Sequence, residues 1–77
     1  MVMSKNDFYL KLEEILAVDV GTLTDDVELA SLGVWDSVSV LSTITLVDQC
    51  FKVVLDGTDV GSCKTAGEIY SLVLSKI

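Results

Sequence analysis

Apolar residues return every three to four positions in three stretches of this chain, a spacing that directs it toward helices rather than a sheet. In the first, from about Asn6 to Leu16, the residues Phe8, Tyr9, Leu12, Ile15 and Leu16 fall on one side of a helical wheel, with Ser4 or Asn6 available as cap. The second runs from Ser37 to about Phe51, with Val40, Leu41, Ile44, Val47 and Phe51 as its apolar face. The third is marked by Thr65-Ala66-Gly67-Glu68, a capping box, after which Ile69, Leu72, Val73 and Ile77 form an inward stripe. Gly67 costs that helix up to about 1 kcal/mol relative to Ala. The one competing strand signal is FKVVL at residues 51–55, where β-branched residues alternate with Lys52. A lone strand has nothing to pair with, so a helix end running into a loop is expected there.

Between the first two helices lie the residues from Ala17 to Asp36, without clear period. Connections beyond about 12–15 residues are uncommon in compact domains and tend to be functional. Leu23, Val27, Leu29 and Leu32 are spaced to pin this loop to a core, with room for a short turn of helix. After the Asp56-Gly57 turn signal, a short piece through Val60 to Cys63 is long enough for one helical turn. The expected fold is all-α, a small four-helix bundle with a long loop between helices 1 and 2. Its 77 residues make one small domain spanning 1–77, and such a domain buries only about 60% of the surface its unfolded chain exposes. An enclosed active site has little room here.

Charge and composition remove several functions. Twelve acidic residues face five lysines and no arginine, for a net charge of −7, which repels a phosphate backbone and argues against nucleic acid while favouring basic partners. With no histidine, no Ser-His or Cys-His nucleophile can be assembled, so the chain is not expected to be an enzyme. Cys50 and Cys63 lack the partners of a zinc site and are expected to be ordinary half-buried thiols, with no metal bound. From Asp56, the positions of a calcium loop would hold Thr58, Val60 and Gly67, which do not ligate calcium through side chains in the required pattern. No apolar run approaches the ~20 residues of a membrane span, and MVMSKNDFYL has no secretory apolar core. A cytoplasmic monomer is the expectation.

The segment LGVWDSVSVLSTI at 32–44 raises the functional question, because its Asp36-Ser37 pair opens the second helix. Ser37 could be a plain N-cap, or a site of attachment. The outer face of the same helix holds Val38, Ser39, Ser42, Thr45, Leu46 and Gln49, where a solvated face normally carries Lys and Glu. Val38 and Leu46 are expected to be exposed aliphatics on one stripe. Two readings stand side by side: a half-buried helix with Ser and Thr as space fillers, and a docking surface.

Leu32-Gly33, then Asp36-Ser37 with Val38 opening a long helix that ends at Phe51, resembles the acyl carrier protein family. The likeness extends over nearly the whole chain, through the long anchored loop, the Asp56-Gly57-Thr58-Asp59 stretch where the family has a short third helix, and Thr65 at the start of the last helix. The resemblance implies a carrier bundle whose Ser37 bears 4′-phosphopantetheine, taken from coenzyme A by a phosphopantetheinyl transferase. It also implies partners that load acyl groups and transfer them, in fatty acid, polyketide or aminoacyl chemistry. Asp36 is then a contact for the modifying enzyme. Where fatty-acid carriers display carboxylates after the serine, this chain has Ser39, Ser42, Gln49 and Cys50, with Asp48 retained and acid moved to Asp19, Asp25, Asp26 and Glu28. A dedicated partner reading Val38, Ser42, Thr45 and Leu46 by shape is the expectation, and with Trp35 beside the serine an aminoacyl cargo is favoured over a fatty acyl one. The alternative is an unmodified helical interaction module that retains the fold.

Overall fold

In the computed structural model, which describes residues 3–77, four α-helices follow one another as α1 (Lys5–Leu16), α2 (Ser37–Phe51), α3 (Gly57–Ser62) and α4 (Ala66–Lys76), with a 3₁₀ turn at Leu29–Leu32 inside the long loop. Each helix begins where a side chain can satisfy an orphan N–H. Ser4, Asp36, Asp56 and Thr65 accept from the backbone N–H of Asp7, Ser39, Thr58 and Glu68 respectively. The helix ends are equally local: Ala17 and Lys52 take left-handed φ values of 58° and 59°, closing α1 and α2. Lys52 therefore breaks the FKVVL run after Phe51, and among the described residues the only β pairing is an isolated bridge between Glu28 and Thr65. The piece after Asp56 is a six-residue helix that buries Val60.

The core is Phe8, Leu12 and Leu16 of α1, Leu46 and Val47 of α2, Val60 of α3, and Ala66, Ile69 and Val73 of α4, joined by Leu23, Leu29 and Leu55 from the connections. At one end Phe8 meets Phe51 edge-on at 5.7 Å between ring centroids, and Tyr70 lies 5.7 Å from Phe8. Phe8 near the start of α1 thus touches Phe51 at the end of α2, while Ile15 and Val38 border one groove at the other end, so the two helices run antiparallel. Ser37 stands a full helix length from the aromatic cluster, roughly 20 Å at 1.5 Å per residue. The aromatic end and the end bearing the serine are opposite ends of α2.

The long loop is pinned as the leucine spacing predicts: Leu23 and Leu29 are buried, and Val27 and Leu32 pack half-buried against the core. Polar contacts complete the anchoring. The carboxylate of Glu13, itself buried, accepts from the N–H groups of Gly21 and Leu23, both at 2.9 Å. Further along, the loop lies against the start of α4: Leu29 N–H donates to Lys64 C=O (2.8 Å), Ala66 N–H to Val27 C=O and Gly67 N–H to Asp25 C=O (both 3.3 Å). This contact explains Gly67, where a Cβ would stand 2.7 Å from the Asp25 carbonyl oxygen. Glycine's helix penalty is accepted there because only glycine lets two backbones approach so closely.

Several inward assignments made from the wheel are corrected. Ile15 and Leu41 are exposed, Ile77 lies beyond α4 and is exposed, and Leu46, expected on the outer face, is only 6% exposed. In α2 the buried face is centred on Ser39, Thr43, Leu46 and Val47, rotated from the most hydrophobic one. Serine and threonine can turn inward because the helix backbone absorbs their hydroxyls: Thr43 Oγ1 donates to Ser39 C=O at 2.9 Å, and Ser39 Oγ donates to Val34 C=O. Once those positions are inside, Leu41 is forced out.

Candidate functional site

The Asp36-Ser37 pair divides its labour. Asp36, in extended conformation, is the N-cap of α2; its Oδ1 accepts from Ser39 N–H at 2.9 Å and its C=O from Val40 N–H at 3.0 Å. That bond from Ser39 N–H is the main reason the Asp36 carboxyl sits below the usual carboxylate range. Ser37 is the first helical residue, exposed, and its hydroxyl has no hydrogen-bond partner among the described residues. The cap is made by Asp36, and the serine is left free.

Around this hydroxyl the surface is shaped by two helices. An open depression of about 450 Å³ between α2 and α3 is bordered by Trp35, Asp36, Ser37, Val40, Leu41 and by Gly57 and Gly61, which bring no side chains to it. Ser37 lies at its edge. A second open groove of about 350 Å³, sharing Leu41 with the first, runs to the end of α1 and is lined by Ile15, Val38, Leu41, Ser42, Thr45, Leu46 and Gln49. None of these seven residues is charged. Val38 and Leu41 are 69% and 64% exposed, Thr45 is exposed and Ser42 half-buried, whereas Leu46 forms the groove's floor. The expected stripe is therefore present with one exchange, Leu41 standing out where Leu46 was expected. Leu41 and Ile15 were missed because both readings of the wheel took the most apolar arc as the inner one.

The remaining chemistry is sparse. Cys50 and Cys63 are free, half-buried thiols, the latter with its Sγ 3.4 Å from Asp59 C=O and its pKa pushed up, first by burial. Among the described residues no three metal-ligating side chains cluster, and no helix is long and apolar enough to cross a membrane. Asp25, one of the loop acids, is engaged in structure: it accepts from Lys5 Nζ at 2.9 Å and from Tyr9 Oη at 2.7 Å.

The fold is thus a small helical bundle with a long anchored loop, presenting an unengaged serine at the start of its longest helix. The family model for the phosphopantetheine attachment site matches residues 10–73, most of the chain, and the chain belongs to that family. Its members are carrier domains to which 4′-phosphopantetheine is attached covalently, and they are served by phosphopantetheinyl transferases and biosynthetic enzymes. No curated protein matches this chain significantly. The residues present fit the group: a serine hydroxyl free of structural duty, at the positive end of a 15-residue helix, beside an open depression.

Proposed function

We propose that Ser37 is the attachment residue and that the chain presents thioester-bound acyl or aminoacyl groups to the enzymes of a biosynthetic pathway. The observation that carries this reading is the cap: Asp36 satisfies the first turn of α2, so the exposed Ser37 hydroxyl has no structural task. In the transfer, Ser37 Oγ bonds to the β-phosphorus of the pyrophosphate in coenzyme A and the bond to the bridging oxygen breaks. Adenosine 3′,5′-bisphosphate leaves, and the hydroxyl proton passes to a base outside this chain, which has no histidine. When bound, the arm supplies a terminal thiol on which cargo is held as a thioester. The protein's share is to hold the serine outward, place a phosphodiester near the positive end of α2, and be recognised.

Asp36 is exposed enough to meet a cation on the modifying enzyme while still capping the helix. Recognition by loading and transfer enzymes is assigned to the uncharged groove of Val38, Leu41, Ser42, Thr45 and Leu46, read more by shape than by charge. That neutral face, with Trp35 half-buried beside the serine, favours a dedicated, aminoacyl-type pathway over generic fatty-acid enzymes. The chain acts as a monomer in this scheme.

Incubating the protein with coenzyme A and a promiscuous transferase, then weighing the intact chain, tests the assignment. A gain of one arm, absent in Ser37→Ala, is expected; no gain with several transferases leaves an unmodified docking module as the better account.

A further inference from the structure

Ser37 is held outward by a residue two positions on. Ser39 is 9% exposed and lies about 200° round α2 from Ser37, so the two serines point to opposite sides of the same turn. Both of Ser39's donors are spent on the chain just before the helix. Its N–H binds Asp36 Oδ1 at 2.9 Å, and its hydroxyl binds Val34 C=O. Trp35, between those two points, is therefore bracketed by bonds to a single residue. Ser39 is tied in turn from below, since its own C=O accepts from the fully buried Thr43 hydroxyl at 2.9 Å. The stack Thr43, Ser39, Val34 connects the core to the turn from which Ser37 emerges. Immediately upstream the chain passes through Gly33 with φ of +73°, the conformation that ends the 3₁₀ turn, so without this tether the segment would join a swivel to a helix end.

We infer that Ser39 is a positioning residue for arm transfer, clamping Val34–Asp36 so that the Ser37 hydroxyl is presented in one orientation. The inference rests on Ser37 being the attachment residue. A hydroxyl held in register with the incoming phosphorus is worth rate, because misplacement near 1 Å is costly in group transfer. The two kinetic constants separate this role from partner docking. Removing the Ser39 hydroxyl frees Val34 but keeps the backbone N–H that holds Asp36, the contact to the modifying enzyme, so the loss acts on kcat and not on KM.

The test is steady-state arm transfer, read by intact mass, together with amide hydrogen exchange of residues 34–39 and thermal unfolding. In Ser39→Ala, kcat is expected to fall about fivefold to tenfold, on the order of one lost hydrogen bond, with KM within about twofold and faster exchange confined to that segment. Ser39→Thr, which restores a hydroxyl, should recover most of the rate. Should Ser39→Ala be unfolded at the assay temperature, Ser39→Cys, similar in size with a weaker donor, carries the test with the same direction expected. Wild-type kcat in the folded Ala or Cys variant, or a fall in transfer that appears only in KM, overturns the inference. If the wild-type chain takes no arm, or Ser37→Ala still takes one, the attachment reading itself has failed, and the clamp falls with it by a different observation.

Discussion

At Gly67 the helix and the loop compete for the same ångströms, and the outcome can be measured. An alanine there would improve intrinsic helix propensity by up to about 1 kcal/mol, yet its Cβ would meet Asp25 carbonyl oxygen at 2.7 Å. A backbone oxygen cannot swing aside as a side chain would, so the loop must lift and lose the Gly67 N–H bond with it. Gly67→Ala is expected to destabilise by about 1–3 kcal/mol, the usual range for an overpacked contact, read as a shift of the chemical denaturation midpoint. Ala17 is the opposite case. It is exposed, holds φ of 58°, and closes α1 by donating its N–H to Glu14 C=O at 3.3 Å. Glycine adopts that conformation without a Cβ penalty, so Ala17→Gly should stabilise by up to about 1 kcal/mol in the same assay.

Within α2, two leucines five residues apart have exchanged the roles that hydropathy would give them. Leu46→Ala removes a side chain that is 6% exposed and should cost about 2–4 kcal/mol as a core truncation. Leu41→Glu, at 64% exposure, should leave the thermal midpoint nearly unchanged while raising KM or Kd for the cognate enzyme at least about tenfold, as expected when an uncharged interface receives an unpaired carboxylate. Retained affinity in Leu41→Glu together with a steep loss on adding salt would show that partners read charge instead. The bounds of α2 and the caps were legible because each depends on residues close in sequence, Asp36 on Ser39 and Thr65 on Glu68, and the leucine anchors of the loop because apolar side chains in a long polar connection need a core to cover them. The inner face of α2 was not, since a wheel sorts residues by hydropathy and does not show that backbone carbonyls, those of Val34 and Ser39, take the hydroxyl protons of Ser39 and Thr43 and make their burial tolerable. Glu13 was missed for the same reason. A charged residue on a helical wheel reads as outer, and only the folded loop, bringing Gly21 and Leu23 N–H to it, makes the inside tolerable. Gly67 looked like a defect because its partner, Asp25, is 42 residues away. For the site, the Asp36-Ser37 pair could be found from sequence, but not that the cap falls to Asp36 alone.

Taken as a whole, the molecule is a −7 chain whose response to pH follows from two contacts, Asp25 with Lys5 and the Tyr9 phenol, and Asp36 with the Ser39 N–H. Asp25 takes protons in hydrogen bonds from Lys5 and Tyr9, and both hold its carboxyl below the ordinary range; Asp36 is held down chiefly by Ser39 N–H. A carboxyl whose folded pKa lies below its unfolded one stabilises the fold fully above the unfolded value, about 3.9, and loses that contribution as pH falls through the folded value. Tyr9 has the opposite sign. Burial first, then its bond to Asp25, raise its phenol above the ordinary value of about 10, so its contribution is complete below that value and is lost as pH rises through the folded pKa. These groups therefore predict a plateau of stability between about pH 5 and pH 10, falling on both sides. Lysines also titrate on the alkaline side, so the measurement is a difference: chemical denaturation of wild type and Tyr9→Phe across that range. The gap between the two should shrink above pH 10 as the wild type is driven to give up the phenolic proton, and Asp25→Asn should flatten part of the acid limb. An alkaline limb equally steep in wild type and Tyr9→Phe would mean that the Tyr9–Asp25 contact does not link the loop to α1 in solution, and the anchoring of the loop would then rest on Glu13 and the backbone bonds to α4.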